Sequence, residues 1–156
     1  MVQSLVMGVL NYCLKVWGSA NKTQMKKVKK LQNFAARIAI GGARKHDHVT
    51  PIYKRLKRLK VDEKYYYDIS ILTFKIVNNM LPEWLFTLPT IEETRLVGVN
   101  TRQQNLLHIP RAVTDLGARA LNVTCPTFWN RLPLNIRNSQ TISSFKAKLK
   151  SYLLDV

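Results

Sequence analysis

The stretch from residue 22 to residue 40 admits one regular structure. Its apolar side chains Met25, Val28, Leu31, Ala35 and Ile38 recur at intervals of three and four. That spacing gathers them on one side of an α-helix and scatters them over both faces of a strand. Thr23 offers a hydroxyl for the N-cap, and Gly41-Gly42 ends the run after Ile40. Largely off the apolar stripe lie Lys22, Lys26, Lys29, Lys30 and Arg37. Lys22, Lys26 and Lys30 follow one another at steps of four and share a face, which Lys27 and Lys29 widen and Arg37 extends. Like charges at this spacing oppose the helix that carries them. A solvated face is the bland account of such a run. No acid interrupts residues 22–45, which end on Arg44 and Lys45, and contact with phosphates is the reading preferred here.

The same imbalance marks the whole chain. Its 156 residues include 25 lysines and arginines against 9 acids, a formal charge of +16. Fifteen of those cations and three of the acids fall in residues 1–64, leaving +12 there and +4 in the remainder. Self-repulsion of this size is best tolerated beside a polyanion, which makes nucleic acid the first expected partner and an acidic membrane surface the second. An apolar share of 46% is ordinary for a globular core. Leu5–Leu10 is apolar, but Asn11 and Lys15 interrupt it well short of the roughly 20 residues of a membrane span. It also lacks the basic start and cleavage site of a secretory signal. Cys13 and Cys125 stand far apart, with no disulfide framework. An intracellular chain, nuclear or cytoplasmic, is expected, without membrane attachment.

Residues 2–17 carry Leu5, Val9, Tyr12 or Cys13, and Val16 at helical spacing, with Gly18 placed for a left-handed cap. Thr50-Pro51 predicts a helix start, Thr50 as cap and Pro51 at the first helical position, with Ile52, Leu56 and Leu59 on its apolar face. Asp62 is placed to cap a further helix whose core side is Ile69, Leu72, Ile76 and Met80. Pro82 and Pro89 bracket a turn around Trp84 and Leu85. Leu106–Ile109 reads as a short strand, with Ala118–Thr124 as its hairpin partner. Pro126–Pro133 makes a helical turn with Phe128 and Trp129. Ser143 caps a closing helix with Phe145, Leu149 and Leu153 on one side. The expected fold is mainly α: a basic helical bundle over residues 1–90, then a small α+β segment over 91–156 containing the hairpin.

Catalytic machinery is not apparent. Two-metal chemistry needs clustered carboxylates, whereas Asp47, Asp62, Asp68, Asp115 and Asp155 are scattered. Tyr65-Tyr66-Tyr67-Asp68 superficially resembles a polymerase box, but the second aspartate is missing and the run falls in a helix. His46-Asp47-His48, with Cys13 or Cys125, lacks the tight ligand pairs of a zinc site, and a solvated loop accounts for it better. Gly41-Gly42-Ala43-Arg44-Lys45 lacks Walker spacing. No cofactor or metal is expected. Trp17, Trp84 and Trp129 stand among apolar neighbours, so core packing outweighs base stacking for each.

Motif order supplies a resemblance. Asn11-Tyr12-Cys13 through Val16-Trp17-Gly18 resembles the element just past the palm of jockey-like and chicken-repeat-type LINE (non-LTR retrotransposon) reverse transcriptases. Leu31-Gln32, Ala35, Arg37 and Ile38 look like the helix that follows there. His48-Val49-Thr50-Pro51-Ile52 with Leu56, Leu59 and Val61 is similar to the next segment, as is Leu72-Thr73-Phe74-Lys75 with Leu81-Pro82 and Leu85. Thr101-Arg102, Asn105-Leu106-Leu107, Pro110-Arg111, Gly117, Arg119-Ala120, Pro126, Phe128-Trp129-Asn130, Leu132-Pro133, Ile136-Arg137 and Phe145-Lys146 then occur in the family's order. Each element alone is weak; their order spans nearly the whole chain. Lys57-Arg58 and Lys60 depart from the family, which often has apolar residues there.

The resemblance implies a non-catalytic thumb and post-thumb region of an RNA-directed DNA polymerase, whose metal-binding aspartates belong to a palm outside this sequence. Met1 would fall inside a thumb helix. Such a region grips the template–primer duplex, so the expected partners are RNA or DNA backbone, bound without sequence preference, and the palm portion. The expected contacts are Lys22, Lys26, Lys27, Lys29, Lys30, Arg37, Arg44 and Lys45. Five phosphate contacts would give a slope of log affinity against log salt of about −4.5 on duplex DNA. The alternative is a host-retained basic module that binds nucleic acid or protein without enzymatic activity.

Overall fold

A computed structural model of the chain describes residues 6–41, 47–82, 88–90 and 106–155. Among these residues the protein is mainly helical, with α1 (Gly8–Asn11), α2 (Leu14–Trp17), α3 (Lys22–Ile40), α4 (Val49–Leu56), α5 (Val61–Val77), α6 (Asp115–Ala118), α7 (Leu121–Asn130), α8 (Leu134–Arg137) and α9 (Ile142–Asp155). Two compact units result, residues 1–68 with 150–156, and residues 69–149. The division falls within α5 and does not coincide with the boundary read near residue 90.

In the first unit, the cap of α3 lies two residues before the expected Thr23. Asn21, in extended conformation, accepts the Thr23 and Gln24 backbone N–H groups on Oδ1 at 2.9 and 3.0 Å. Asparagine so placed satisfies two of the N–H groups that a helix start leaves open. Gly41, at φ 64°, ends the helix in the left-handed region.

The single helix expected over residues 2–17 is broken at Cys13, a non-glycine residue at φ 49°. The Trp17 indole Nε1–H closes this corner by donating to the Tyr12 carbonyl at 2.7 Å. Gly18 is not a left-handed cap, since its φ is −63°. A Cβ there would lie 2.3 Å from the Tyr65 ring and 2.5 Å from the Leu14 carbonyl oxygen, so close approach is what demands glycine.

Helix α4 also starts earlier than expected. His48 occupies the cap position without a side-chain bond, and Thr50 and Pro51 lie inside the first turn. Proline is tolerated there because first-turn N–H groups have no intrahelical partner. Ile52 and Tyr53 pack with Ala36 of α3, flanked by Ile40, Val49 and Leu56. The helix ends at Lys57, φ 50°, where Arg58 N–H donates back to the Tyr53 carbonyl at 3.1 Å. Asp62 is not the cap of α5 but lies in its first turn. Glu63 reaches back instead, accepting the Lys60 N–H on Oε2 at 2.8 Å, one half of a capping box.

The second unit is built on aromatic contacts. Phe74 stacks on Phe145 with ring centroids 4.5 Å apart, and Trp129 lies 5.9 Å from Phe145 and 6.4 Å from Phe74. Ile69, Cys125, Leu132, Ile136 and Leu149 are buried in the same unit. Ile69 and Ile76 keep their expected core positions, while Leu72 is half-buried and Met80 exposed. Ser143 is not the cap of α9: Thr141 is, accepting the Ser144 N–H at 3.2 Å.

The hairpin is absent among the described residues. Residues 118–124 are mostly helical, with the short α6 capped by Thr114, which accepts the Gly117 N–H at 3.1 Å. Leu107 instead makes an isolated antiparallel bridge with Thr90. Its backbone N–H donates to Asn130 Oδ1 at 3.0 Å, and its carbonyl accepts from Asn130 Nδ2 at 2.9 Å. One side-chain amide thus supplies the donor and acceptor that a neighbouring strand would have offered. The turn expected around Trp84 and Leu85 lies outside the described residues.

Candidate nucleic-acid interface

Helix α3 presents its lysines unequally. Lys22, Lys26, Lys27 and Lys30 are exposed. Lys29, the fifth, is half-exposed and ion-paired with Asp62 of α5. Arg37 is also occupied: it is half-buried, and its Nη2–H donates to the Asp47 carbonyl at 3.2 Å, which ties α3 to the approach to α4. Its Nε is buried without a hydrogen-bond partner. Arg44, Lys45 and His46 lie outside the described residues.

The apolar stripe of α3 does not face inward as a whole. Met25 and Ala35 are buried, as expected, together with Gln32 and Ala36. Leu31 and Ile38, also expected in the core, are each 51% exposed, and Phe34 is 61% exposed. The eight-residue α4 covers the Ala36 side of the helix, so apolar residues turned away from it stay in water. Lys27 and Lys30 border this uncovered stripe. Aromatic Phe34 at its centre was not singled out by sequence reasoning, because its helical position lies off the assumed core side.

Beside Lys29, a cleft of about 370 Å³ is lined by Asn33, Asp47, His48, Lys60 and Asp62 among others. Among its described lining residues, Lys29 and Lys60 are matched by Asp47 and Asp62, which suits mutual pairing better than capture of an anion. Elsewhere in the first unit Lys57, Arg58, Lys64 and Lys150 converge with Asn11 and Tyr67 on a concavity of about 180 Å³. Lys64 pairs with Asp68 and lies 5.4 Å from the Tyr67 ring centroid. Burial, and then the Asp68 carboxylate, push the Tyr67 phenol up, which holds it as a hydrogen-bond donor. Sequence reading noted Lys57-Arg58 and Lys60 as a charged run that departs from the resembled family. It missed Lys64 and Lys150, which join that run only through the fold.

No group of three or more histidine, cysteine, aspartate or glutamate side chains suited to a metal ion occurs among the described residues. Cys13 is exposed and Cys125 buried, both as free thiols. Burial pushes the Cys125 thiol up, partly offset by a hydrogen bond with Thr73, which disfavours the nucleophilic thiolate. No helix among the described residues is long and apolar enough to cross a membrane. Compared with protein-family models, curated proteins and solved structures, the chain finds no match.

Proposed function

We propose that this protein binds nucleic-acid backbone through α3 as a non-catalytic thumb-like portion of a LINE-type reverse transcriptase. The observation that carries the reading is the exposure of Lys22, Lys26, Lys27 and Lys30 along one helix, in a chain of charge +16. Each ammonium is a mobile donor suited to phosphate oxygens and indifferent to base identity. The contact set is narrower than sequence alone suggested, because Lys29 is paired with Asp62 and Arg37 with the Asp47 carbonyl. The retroelement origin rests on the motif order from Asn11 to Lys146. The polymerase carboxylates would belong to a separate palm, and this chain would contribute grip.

Salt titration tests the reading. Four phosphate contacts give a slope of log affinity against log salt of about −3.6 on duplex DNA. Lys26→Gln with Lys30→Gln should bring that slope to about −1.8. Duplex affinity unaltered by salt, or by these substitutions, would reject the assignment.

The alternative, a host-retained interaction module, draws support from the exposed Leu31, Phe34 and Ile38. Under that reading, Phe34→Ser abolishes partner binding and leaves duplex affinity unchanged.

A further inference from the structure

The concavity formed by Lys57, Arg58, Lys64 and Lys150 is more cationic than contact with a strand's interior requires. Four positive side chains from separated parts of the sequence line about 180 Å³, and among the described residues no carboxylate lines it with them. The acid beside it, Asp68, is engaged with Lys64, which leaves Lys57 and Lys150 as the charges that face the opening. Lys57, Arg58 and Lys150 are exposed at this rim. Gathering like charges around a hollow is unfavourable in itself and becomes favourable when an anion fills it. Asn11 and Tyr67 add neutral donors to the wall.

The size and charge select among anions. An internal phosphodiester carries one charge and lies along a continuous strand, which suits the open face of α3. A terminal phosphate monoester carries about −1.5 to −2 and presents three acceptor oxygens in a compact head. We infer that this concavity binds the terminal phosphate monoester of a nucleic-acid strand. Lys57 and Lys150 supply the principal charges, and Asn11 and Tyr67 supply oriented donors. The inference rests on the reading above only for the strand that carries the phosphate; the hollow is a separate site from the α3 lysines.

Backbone conformation supplies a clean variant. Lys57 sits at φ 50°, ψ 42°, where glycine is the favoured residue. Lys57→Gly therefore removes the cation while relieving strain.

The test uses the full chain and four probes: a single-stranded oligonucleotide with a 5′-phosphate, the same strand with a 5′-hydroxyl, the same strand with a 3′-phosphate, and inorganic phosphate. Anisotropy reads the oligonucleotides, and phosphorus NMR line width reads inorganic phosphate. A phosphorylated end should bind about tenfold more tightly than the hydroxyl end, the effect of one or two charge-assisted hydrogen bonds. Lys57→Gly with Lys150→Gln should remove that preference, whereas Lys26→Gln with Lys30→Gln should weaken all three strands and preserve it. Equal affinity for phosphorylated and hydroxyl ends, or a preference that survives in Lys57→Gly with Lys150→Gln, overturns the inference. Inorganic phosphate binding with no end preference assigns the hollow to free phosphate and overturns the nucleic-acid end. Inorganic phosphate that binds wild type but not the Lys57 and Lys150 variant, with no strand binding at all, leaves a free-phosphate pocket and overturns both the nucleic-acid end and the α3 reading.

Discussion

Gln32 of α3 accepts the backbone N–H of Val61, the first residue of α5, on Oε1 at 2.8 Å. The same amide donates from Nε2 to the Leu59 carbonyl at 3.2 Å. Gln32 is only 3% exposed, so this side chain satisfies both polar groups of a buried connection with its own donor and acceptor. It fixes where α5 departs relative to α3 within the first unit. Gln32→Leu keeps comparable bulk but strands the Val61 N–H and Leu59 C=O. The cost of a buried unpaired group is about 1–3 kcal/mol, so Gln32→Leu should lose on the order of 2–4 kcal/mol in urea denaturation. A loss below half a kcal/mol would show that water reaches this connection, and the buried amide bridge would be wrong.

Two glycines near the N-terminus should respond in opposite directions to the same methyl group. Gly18 has the Tyr65 ring and the Leu14 carbonyl within 3 Å of any added Cβ. Backbone cannot yield as a flexible side chain does, so Gly18→Ala should destabilise by about 1–3 kcal/mol. Gly8 stands in α1 with nothing within 4 Å of an added Cβ, and Gly8→Ala should stabilise by roughly 0.5–1 kcal/mol. Thermal melts of the two variants against the parent chain decide the matter. Identical shifts would mean that Gly18 does not approach Tyr65.

These contacts mark where sequence reading succeeds and where it stops. The long helix over residues 22–40 is legible because its apolar spacing, its lysine spacing and Gly41 agree. Which part of its stripe is covered is not legible, since that depends on the short reach of α4; hence Leu31 and Ile38 emerge in water. Apolar spacing runs straight through Cys13, so the break between α1 and α2 leaves no periodic trace. Leu106–Ile109 has the composition of a strand, but its pairing comes largely from the Asn130 amide, a partner that strand alternation cannot reveal. Lysine chemistry is visible in the residues themselves. Whether a lysine is spent on a carboxylate requires knowing what lies beside it.

Alkaline stability should carry the signature of Tyr53. Burial pushes its phenol from the ordinary value of 10.0 up to about 12, with Glu63 adding to the rise and Arg37 opposing it. Its hydroxyl is 3.1 Å from Asn33 Oδ1 and donates to it. The folded chain holds this proton more tightly than the unfolded chain does. The contribution is therefore fully present below about pH 10 and is lost as pH rises through about 12, with a size of roughly 2–3 kcal/mol. Tyr53→Phe has no proton to lose here. Denaturation followed from neutral pH to about pH 12 should show the parent chain losing its advantage over Tyr53→Phe by about that amount. Parallel decline of the two chains would exclude a tightly held Tyr53 proton.

Lys29 and Lys30 are adjacent, chemically identical and differently employed, which makes them the sharpest probe of the α3 reading. Lys30 is exposed, while Lys29 is ion-paired with Asp62. Both members of that pair are substantially solvated, so the pair contributes no more than about 1 kcal/mol to stability. Its consequence is positional: Asp62 cancels the Lys29 charge where a phosphate would have to approach. Lys30→Gln should reduce the steepness of the salt dependence by about 0.9, one released counterion contact. Lys29→Gln should leave the slope unchanged and lower stability only slightly. Asp62→Asn then becomes the informative third variant, because it releases Lys29 to the helix face. The slope should steepen by about 0.9 as a fifth lysine becomes available. If Lys29→Gln flattens the slope as much as Lys30→Gln does, the Asp62 pair gives way to phosphate on binding. The division of labour along α3 would then be refuted even if the helix still binds duplex.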